Sequence, residues 1–475
     1  MNQESNKQRT SIFILTFSIF FVFLVLTAYF AWFLAIGSER YLKSAYNPVN
    51  AKKAEDVERG VIYAGDGSVL AKNTIDANGK EIRSYPYGSV FSQIVGYTGA
   101  GTGGLEKTEN ETLMKSHDNI ISKSKKNLND KKLPGDNINT TLSPSLQQAV
   151  YNAFGSNIKG ALIAMDPETG AVLCSVSKPD YDPNTISEDW NSLVNSSDNG
   201  SPLFNRAVQG RYTPGSTFKI VTLLEYLREG GSENDRFNCN GAYTYKGYTV
   251  HCAGGERHGS ENTLAAFYNS CNVAFSQIGL KLDIDSYRKT ASSLLFNKKL
   301  PGDIDGTVKS SFSLKNGDSS SLVMATAFGQ GNTHISPYHM MLISASIYNE
   351  GTLMEPYMVS SVVSADGKTV SSHSVKRYTD LMTRDEAAEL QNFMRNVVTH
   401  GTGRRLNTGA YMAYGKTGTA QIGDGNVTNS LFTGFATDPN GEKPIAFAAV
   451  AEGSEHYSPA AISLVKSLLE EWYKK

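Results

Sequence analysis

The chain has 475 residues, too many for one hydrophobic core, so length alone predicts two soluble domains. Its 45 Lys and Arg balance 46 Asp and Glu, which leaves no basic field for phosphates and excludes nucleic acid as the main partner. Four cysteines, widely spread, spell neither a disulfide scaffold nor a metal knuckle.

Ser11 to Ile36 is 26 residues without a charge. At about 1.5 Å per residue that crosses a hydrocarbon core of roughly 30 Å. The run is too long for a signal-peptide apolar region, and it is apolar on every face, unlike an ordinary buried helix. An uncleaved anchor (11–36) behind a short tail (1–10) is the reading. Lys7 and Arg9 precede the span and Arg40, Lys43, Lys52 and Lys53 follow it, so loop charge does not set the orientation.

Residues 37 to 60 carry Tyr46-Asn47-Pro48 and Arg59-Gly60. Two β-rich pieces flank Gly65-Asp66-Gly67 and predict a hairpin. Arg83 to Tyr87 and Phe91 to Gly96 are predicted as further extended pieces. Gly99 to Gly104 is glycine-rich but lacks the Lys-Ser/Thr ending of a phosphate loop, and is predicted as a turn. Lys123 to Lys132 is polar, and with Leu133-Pro-Gly-Asp136 it marks a boundary near residue 140. Beyond it come a helix from Pro144 to Phe154 and apolar strands at Ile158–Met165 and Ala171–Val176 around a tight turn. After a loop to Pro202 the chain reads as mostly helical to about 350. Leu353–Val362 then reads as a strand and Met382 onward as a long helix. Strands at 414–421, 431–437 and 445–451 follow, then an amphipathic helix from Ser458 to Trp472. Strands from both ends with helices between them make an α+β domain, an antiparallel sheet flanked by helices. The predicted division is a β-rich pedestal at 37–140 and a second domain at 141–475.

Within Arg211-Tyr-Thr-Pro-Gly-Ser-Thr-Phe-Lys-Ile220, Pro214 and Gly215 punctuate the chain before a helical run. Ser216 at that position reads equally as a helix cap. Lys219 is less easily explained, because an ammonium in the first turn lies at the wrong end of the helix dipole. It gains a purpose if it loses its proton and takes one from the serine. Ser270-Cys-Asn272 then stands between two helix-like runs, and Lys416-Thr-Gly-Thr419 enters a strand. Each word is common; the three in this order and in these element types are not.

On these motifs the chain resembles the class B penicillin-binding proteins, the membrane-anchored, monofunctional serine D,D-transpeptidases. Asn205-Arg206-Ala207, His258-Gly259, Gly329-Gln-Gly331, Ser336-Pro337 and Gly401-Thr-Gly403 extend the resemblance, as do Asn47-Pro48, Arg59-Gly60 and Gly104-Leu-Glu106 in the pedestal. One departure is Tyr63-Ala-Gly-Asp-Gly67, where the family carries Asp-Arg-x-Gly. The resemblance implies a penicillin-binding, serine β-lactamase-like fold and an acyl-enzyme on Ser216. It casts Lys219 as base and Ser270 as proton shuttle, with Asn272 bonding substrate and Lys219. Lys416 is the second cation, Thr417 and Thr419 bind the substrate carboxylate, and Gly418 leaves the strand edge bare. The backbone N–H groups of Ser216 and Thr419 form the oxyanion hole. It further implies stem peptides ending in D-Ala-D-Ala as substrate, β-lactams as covalent inhibitors, and an extracytoplasmic catalytic domain. A separate membrane glycan polymerase and cell-wall assembly proteins are the implied partners. No cofactor and no metal are expected, for want of a suitable His/Cys/Asp grouping, and His258 is assigned a structural role. A serine β-lactamase or D,D-carboxypeptidase, a membrane β-lactam sensor and a catalytically silent assembly scaffold are the alternatives.

Cys239 and Cys252 bracket a tyrosine-rich stretch around Lys246-Gly247 that predicts a hairpin bringing them opposite each other. A disulfide and a pair of buried thiols both fit. Cys174 and Cys271 are expected to stay reduced, with Cys271 turned away from Ser216.

Overall fold

The computed structural model describes residues 2–37, 56–117, 132–156, 158–196, 200–422, 427–454 and 459–474. Asn47-Pro48 and the lysine-rich run from Lys123 to Lys131 lie outside them. Helix α1 (Asn2–Trp32) runs into a π-helical turn at Phe33–Gly37, and Thr10–Ala35 is long and apolar enough to cross a membrane. Its threonines hide their polarity: the hydroxyls of Thr16 and Thr27 each donate to a carbonyl one turn back, at 2.8 Å. Such internal pairing is what a hydrocarbon surround demands.

The pedestal begins with the predicted hairpin, β1 (Ile62–Tyr63) and β2 (Val69–Ile75), joined through Gly67 at φ 84°. Strand β3 (Glu81–Ser84) extends it. Phe91 to Gly96 is not extended as predicted: Gly88–Phe91 is a 3-10 turn and Ser92–Val95 a helical turn. Phe91, Ile94 and Val95 are all buried there, a spacing that suits one helical face and spoils strand alternation. The glycine-rich segment is a tight turn pairing Tyr97–Thr98 with Thr102–Gly103, and it delivers Glu106 on the short helix Gly104–Thr108. Glu106 is fully buried. Arg59 Nε meets one carboxylate oxygen at 2.5 Å and Arg83 Nε the other at 2.8 Å. Burial alone would raise its pKa, but the two guanidinium groups outweigh it and hold Glu106 below the ordinary carboxylate range. Glu106→Ala leaves two cations facing a void, so it is expected to lower unfolding stability by about 3–5 kcal/mol. An unshifted urea midpoint would rule out the triad as the pedestal's support.

Strand β4 (Asn137–Thr140) completes the N-terminal part of this sheet, pairing parallel with β1. The C-terminal part opens on α2 (Pro144–Phe154), which has Ser143 as N-cap and Pro144 in its first turn. Strands β5 (Lys159–Met165) and β6 (Val172–Lys178) form the predicted antiparallel hairpin. A 3-10 turn at Gly215–Phe218 runs directly into α3 (Lys219–Arg228). The stretch predicted as mostly helical contains four short strands: β7 (Arg236–Cys239), β8 (Ala242–Tyr245), β9 (Tyr248–His251) and β10 (Gly259–Asn262). β8 and β9 are the hairpin expected at Lys246-Gly247, and both turn residues have positive φ. Helices α4 (Thr263–Tyr268), α5 (Asn272–Gly279) and α6 (Pro337–Tyr348) follow.

Strands β11 (Val359–Val363) and β12 (Thr369–Ser372) then return to the pedestal, β11 pairing with β4. The pedestal sheet thus runs β12-β11-β4-β1-β2-β3 and draws on both sides of residue 140. Helix α7 (Arg384–Thr399) carries a full capping box from Thr383 and Glu386. Strands β13 (Met412–Ile422), β14 (Val427–Thr437) and β15 (Ile445–Ser454) and helix α8 (Ala460–Trp472) end the described chain. The main sheet is antiparallel, in the order β6-β5-β15-β14-β13, so residues 159–178 and 412–454 share it as expected. Strict alternation on β5 divides two cores. Ala161, Ile163 and Met165 join the core that contains α6, while Leu162 and Ala164 join that of α2 and α8. Helices cover both faces, and β13 is left at the edge.

Candidate active site

The edge strand β13 passes close against the turn that opens α3. Gly215 has φ 53°, and a Cβ there would stand 2.6 Å from the Thr419 carbonyl oxygen. A Cβ on Gly418 would stand 2.9 Å from the Pro214 carbonyl. Two bare glycines therefore let the backbones meet, which brings Ser216 beside Thr419. Gly418, which also lines the cleft, thus has a packing reason to be bare. Gly329 backs the same turn: its carbonyl accepts from Gly215 N at 2.9 Å, and a Cβ on it would strike the Gly215 carbonyl at 1.8 Å.

Ser216 sits inside the 3-10 turn and makes no side-chain cap, so the capping alternative falls. Lys219, one turn on and fully buried, gathers the constellation. Its Nζ lies 3.0 Å from Ser216 Oγ, 2.7 Å from the Ser270 carbonyl, 3.2 Å from Ser270 Oγ and 2.8 Å from Asn272 Oδ1. Lys416, equally buried, donates to Ser270 Oγ at 2.9 Å from the other side. One hydroxyl is thus shared by two amines. Ser270 is held there in the left-handed region, φ 61°, which is strained for a residue with a side chain. Asn272 opens α5, and its Nδ2 donates to the His251 carbonyl at 3.0 Å, tying the second motif to β9.

Burial lowers the Lys219 ammonium to about 7, with Cys271, Cys252 and Glu261 pulling weakly the other way. Burial, and then the Lys219 charge, push Lys416 well below its ordinary value. Repulsion between the two amines is reciprocal, so protonation of one disfavours protonation of the other. An amine partly neutral at neutral pH and hydrogen-bonded to a serine hydroxyl has the placement a general base needs.

The site floors a cleft of about 910 Å³ lined by Ser216, Asn272, Gln330, Thr402, Thr417 and Thr419. Thr402 Oγ1 lies 2.6 Å from Thr417 Oγ1. Thr402 received no role from sequence, although its Gly401-Thr-Gly403 motif was the available signal. Arg206 and Tyr212 converge instead on Glu452, at 3.0 and 2.6 Å, and brace β15 behind the cleft.

The expectation that no metal-ligating group exists is overturned. Cys239, Cys252, His258 and Cys271 place their donor atoms within 4.8 Å of one another. They span 33 residues of sequence and meet because β7, β9 and α5 converge. Cys239 and Cys252 form no disulfide, and their thiols are in hydrogen-bond contact at 3.5 Å. Cys271 points into this cluster and caps α5 through Ala274 N, while Ser270 and Asn272 point to Lys219.

Two known families match successive parts of the chain. Residues 160–470 match the penicillin-binding protein transpeptidase domain, and 59–138 match the penicillin-binding protein A dimerisation domain. The peptidoglycan D,D-transpeptidase PbpA of Mycobacterium tuberculosis is 31% identical over 387 residues, covering 77% of this chain and 78% of that one. The imipenem acyl-enzyme complex of penicillin-binding protein A from the same organism superposes with a TM-score of 0.79 at 26% identity, over 88% of this chain and 98% of that one. A D,D-transpeptidase domain from Eggerthella lenta gives 0.78 at 28% identity, over the same shares of each chain. The departure at Tyr63-Ala-Gly-Asp-Gly67 falls inside a hairpin and leaves the match intact. This chain belongs to the penicillin-binding proteins, in their class B, monofunctional form.

Proposed function

We propose that the protein cross-links peptidoglycan as a serine D,D-transpeptidase, with Ser216 as nucleophile and Lys219 as its base. The observation that carries this is the single buried amine in contact with Ser216, Ser270 and Asn272 at the floor of an open cleft. Ser216 Oγ attacks the carbonyl between two D-alanines of a stem peptide and gives its proton to Lys219. The N–H groups of Ser216 and Thr419 take the developing oxyanion. Ser270, bonded to both lysines, passes a proton to the departing D-alanine nitrogen as the C–N bond breaks. An amine from a neighbouring strand then attacks the ester and frees Ser216. Thr417 and Thr419 hold the terminal carboxylate, which Lys416 attracts from behind them. β-Lactams follow the first half of this course and stop at the acyl-enzyme.

The chain divides in this reading into a tail (1–10), an anchor (11–36), a pedestal (37–140) and a catalytic domain (141–475). α1 anchors it by a single pass, and the catalytic domain faces the substrate outside the membrane. A separate membrane glycan polymerase supplies the strands, in company with cell-wall assembly proteins.

The test is full-length protein in detergent with a stem pentapeptide donor and an acceptor amine. Equimolar D-alanine and cross-linked product are expected; D-alanine with hydrolysed donor alone would make the protein a carboxypeptidase. The same assay carries a pH prediction. Only neutral Lys219 can take the serine proton, so acylation should fall about tenfold per unit as pH drops below 7 and level off above it. A rate flat through that range would remove Lys219 as the base.

A further inference from the structure

Cys239, Cys252, His258 and Cys271 form a cluster that the transpeptidase chemistry does not use. We propose that these four side chains are a tetrahedral Cys3His site for one zinc ion, and that the bound metal is the fixed point from which the Ser270-Cys-Asn272 loop is held. The distances carry the argument. Zn–S bonds of about 2.3 Å and Zn–N bonds of about 2.0 Å at tetrahedral angles put sulfurs about 3.8 Å apart, and sulfur and nitrogen about 3.5 Å apart. Here the Cys239 and Cys252 sulfurs stand 3.5 Å apart and those of Cys252 and Cys271 3.7 Å. Cys239 Sγ and His258 Nδ1 stand 3.3 Å apart. Three of the six edges are thus close to those of an occupied tetrahedron, and the other three are within 4.8 Å.

The count of donors argues in the same direction. A disulfide needs two sulfurs about 2.05 Å apart and would strand a third buried thiol. Cys252 instead touches both other thiols, and all three cysteines are buried. Three soft sulfurs with one imidazole supply all four positions, the donor set of a structural zinc site rather than a catalytic one, which keeps an open position. His258 supports this with its far nitrogen. Nε2 is buried and makes no hydrogen bond, and the Glu256 carboxylate stands 3.5 Å away, placed to orient a ligating imidazole. Binding displaces the three thiol protons to solvent, leaving a zinc trithiolate of net charge −1.

The elements joined give the site its role. Cys239 ends β7, Cys252 follows β9, His258 precedes β10, and Cys271 lies between Ser270 and Asn272. A metal here clips the β8–β9 hairpin to the loop whose strained Ser270 must sit between two lysines. The four donors are positioning residues, since none touches Ser216.

The experiment uses the full-length protein, extracted in detergent and purified without chelator, and reads metal content independently of acylation. One zinc per chain is expected by elemental analysis. Cobalt replacement should give the intense visible bands of a tetrahedral thiolate site. Cys239→Ser should lower zinc at least tenfold, while His258→Cys, which keeps four donors, should retain it. Because a cysteine variant can misfold, the wild type carries a second arm. Treatment with 1,10-phenanthroline should release the zinc and expose three thiols to a native thiol reagent, with slower penicillin acylation restored by added zinc. Zinc below one tenth per chain in protein purified with or without air would overturn the proposal, as would a Cys239–Cys252 bridged peptide as the main species. Zinc retained in a Cys239→Ser, Cys271→Ser double variant would place the metal elsewhere and also overturn it.

Discussion

Ser216→Ala loses acylation by fluorescent penicillin and loses transpeptidation, on the order of 10⁶ in rate, the scale seen when a serine nucleophile is removed. The fold should survive, because among the described residues the side-chain bond lost is the 3.0 Å contact with Lys219, worth about 1 kcal/mol. Thermal melts of mutant and wild type should therefore nearly coincide, which keeps a negative gel from being read as a folding defect. Mass spectrometry of the wild-type adduct should find the acyl group on the peptide containing Ser216. Label retained by the variant, or an adduct mapped to Ser270, would transfer the nucleophile to a different hydroxyl.

Lys219→Arg should be nearly as inactive as Lys219→Ala, each at least about 10⁴ below wild type, the upper end for loss of a general base. Arginine keeps the charge and the reach but has a pKa above about 12, so it cannot take a proton from serine. It also forces a permanent charge into a site where burial now drives lysine towards its neutral form. Lys219→Arg should thus be the less stable of the two, while a merely charge-pairing lysine would show the opposite order. Combining either change with Ser216→Ala should add almost nothing, since the two groups act as one unit. Substantial acylation by Lys219→Arg would mean that some other group accepts the proton.

How much of this was legible beforehand depended on whether the signal was local. Ser216, Lys219, Ser270, Asn272 and Lys416, which the structure brings together, stand out in sequence because each lies in a short word tied to a helix start or a strand. The β5–β6 hairpin and the closing helix announced themselves by periodicity. Phe91 to Gly96 misled because a six-residue apolar run does not distinguish strand from helical turn. The packing reason for Gly418 was not legible because a missing Cβ says nothing of what it avoids, here the Pro214 carbonyl. The Cys3His cluster was invisible for a stronger reason. Its four residues span Cys239 to Cys271 without metal-finger spacing, and only the folding of three elements onto one point joins them.

The strand order of the pedestal also constrains how the protein is made. β4 ends at Thr140, yet its outer partner β11 begins at Val359, about 220 residues later. At the usual synthesis rate of roughly 5–20 residues per second, β4 waits some 10 to 45 seconds as an open edge. An unpaired edge is the part of a sheet that recruits foreign strands. The emerging chain therefore passes through a stage at which its pedestal is adhesive, and a stall in export between residues 140 and 359 would leave it so. Aggregation of nascent chains, rather than loss of catalysis, is the hazard built into this topology.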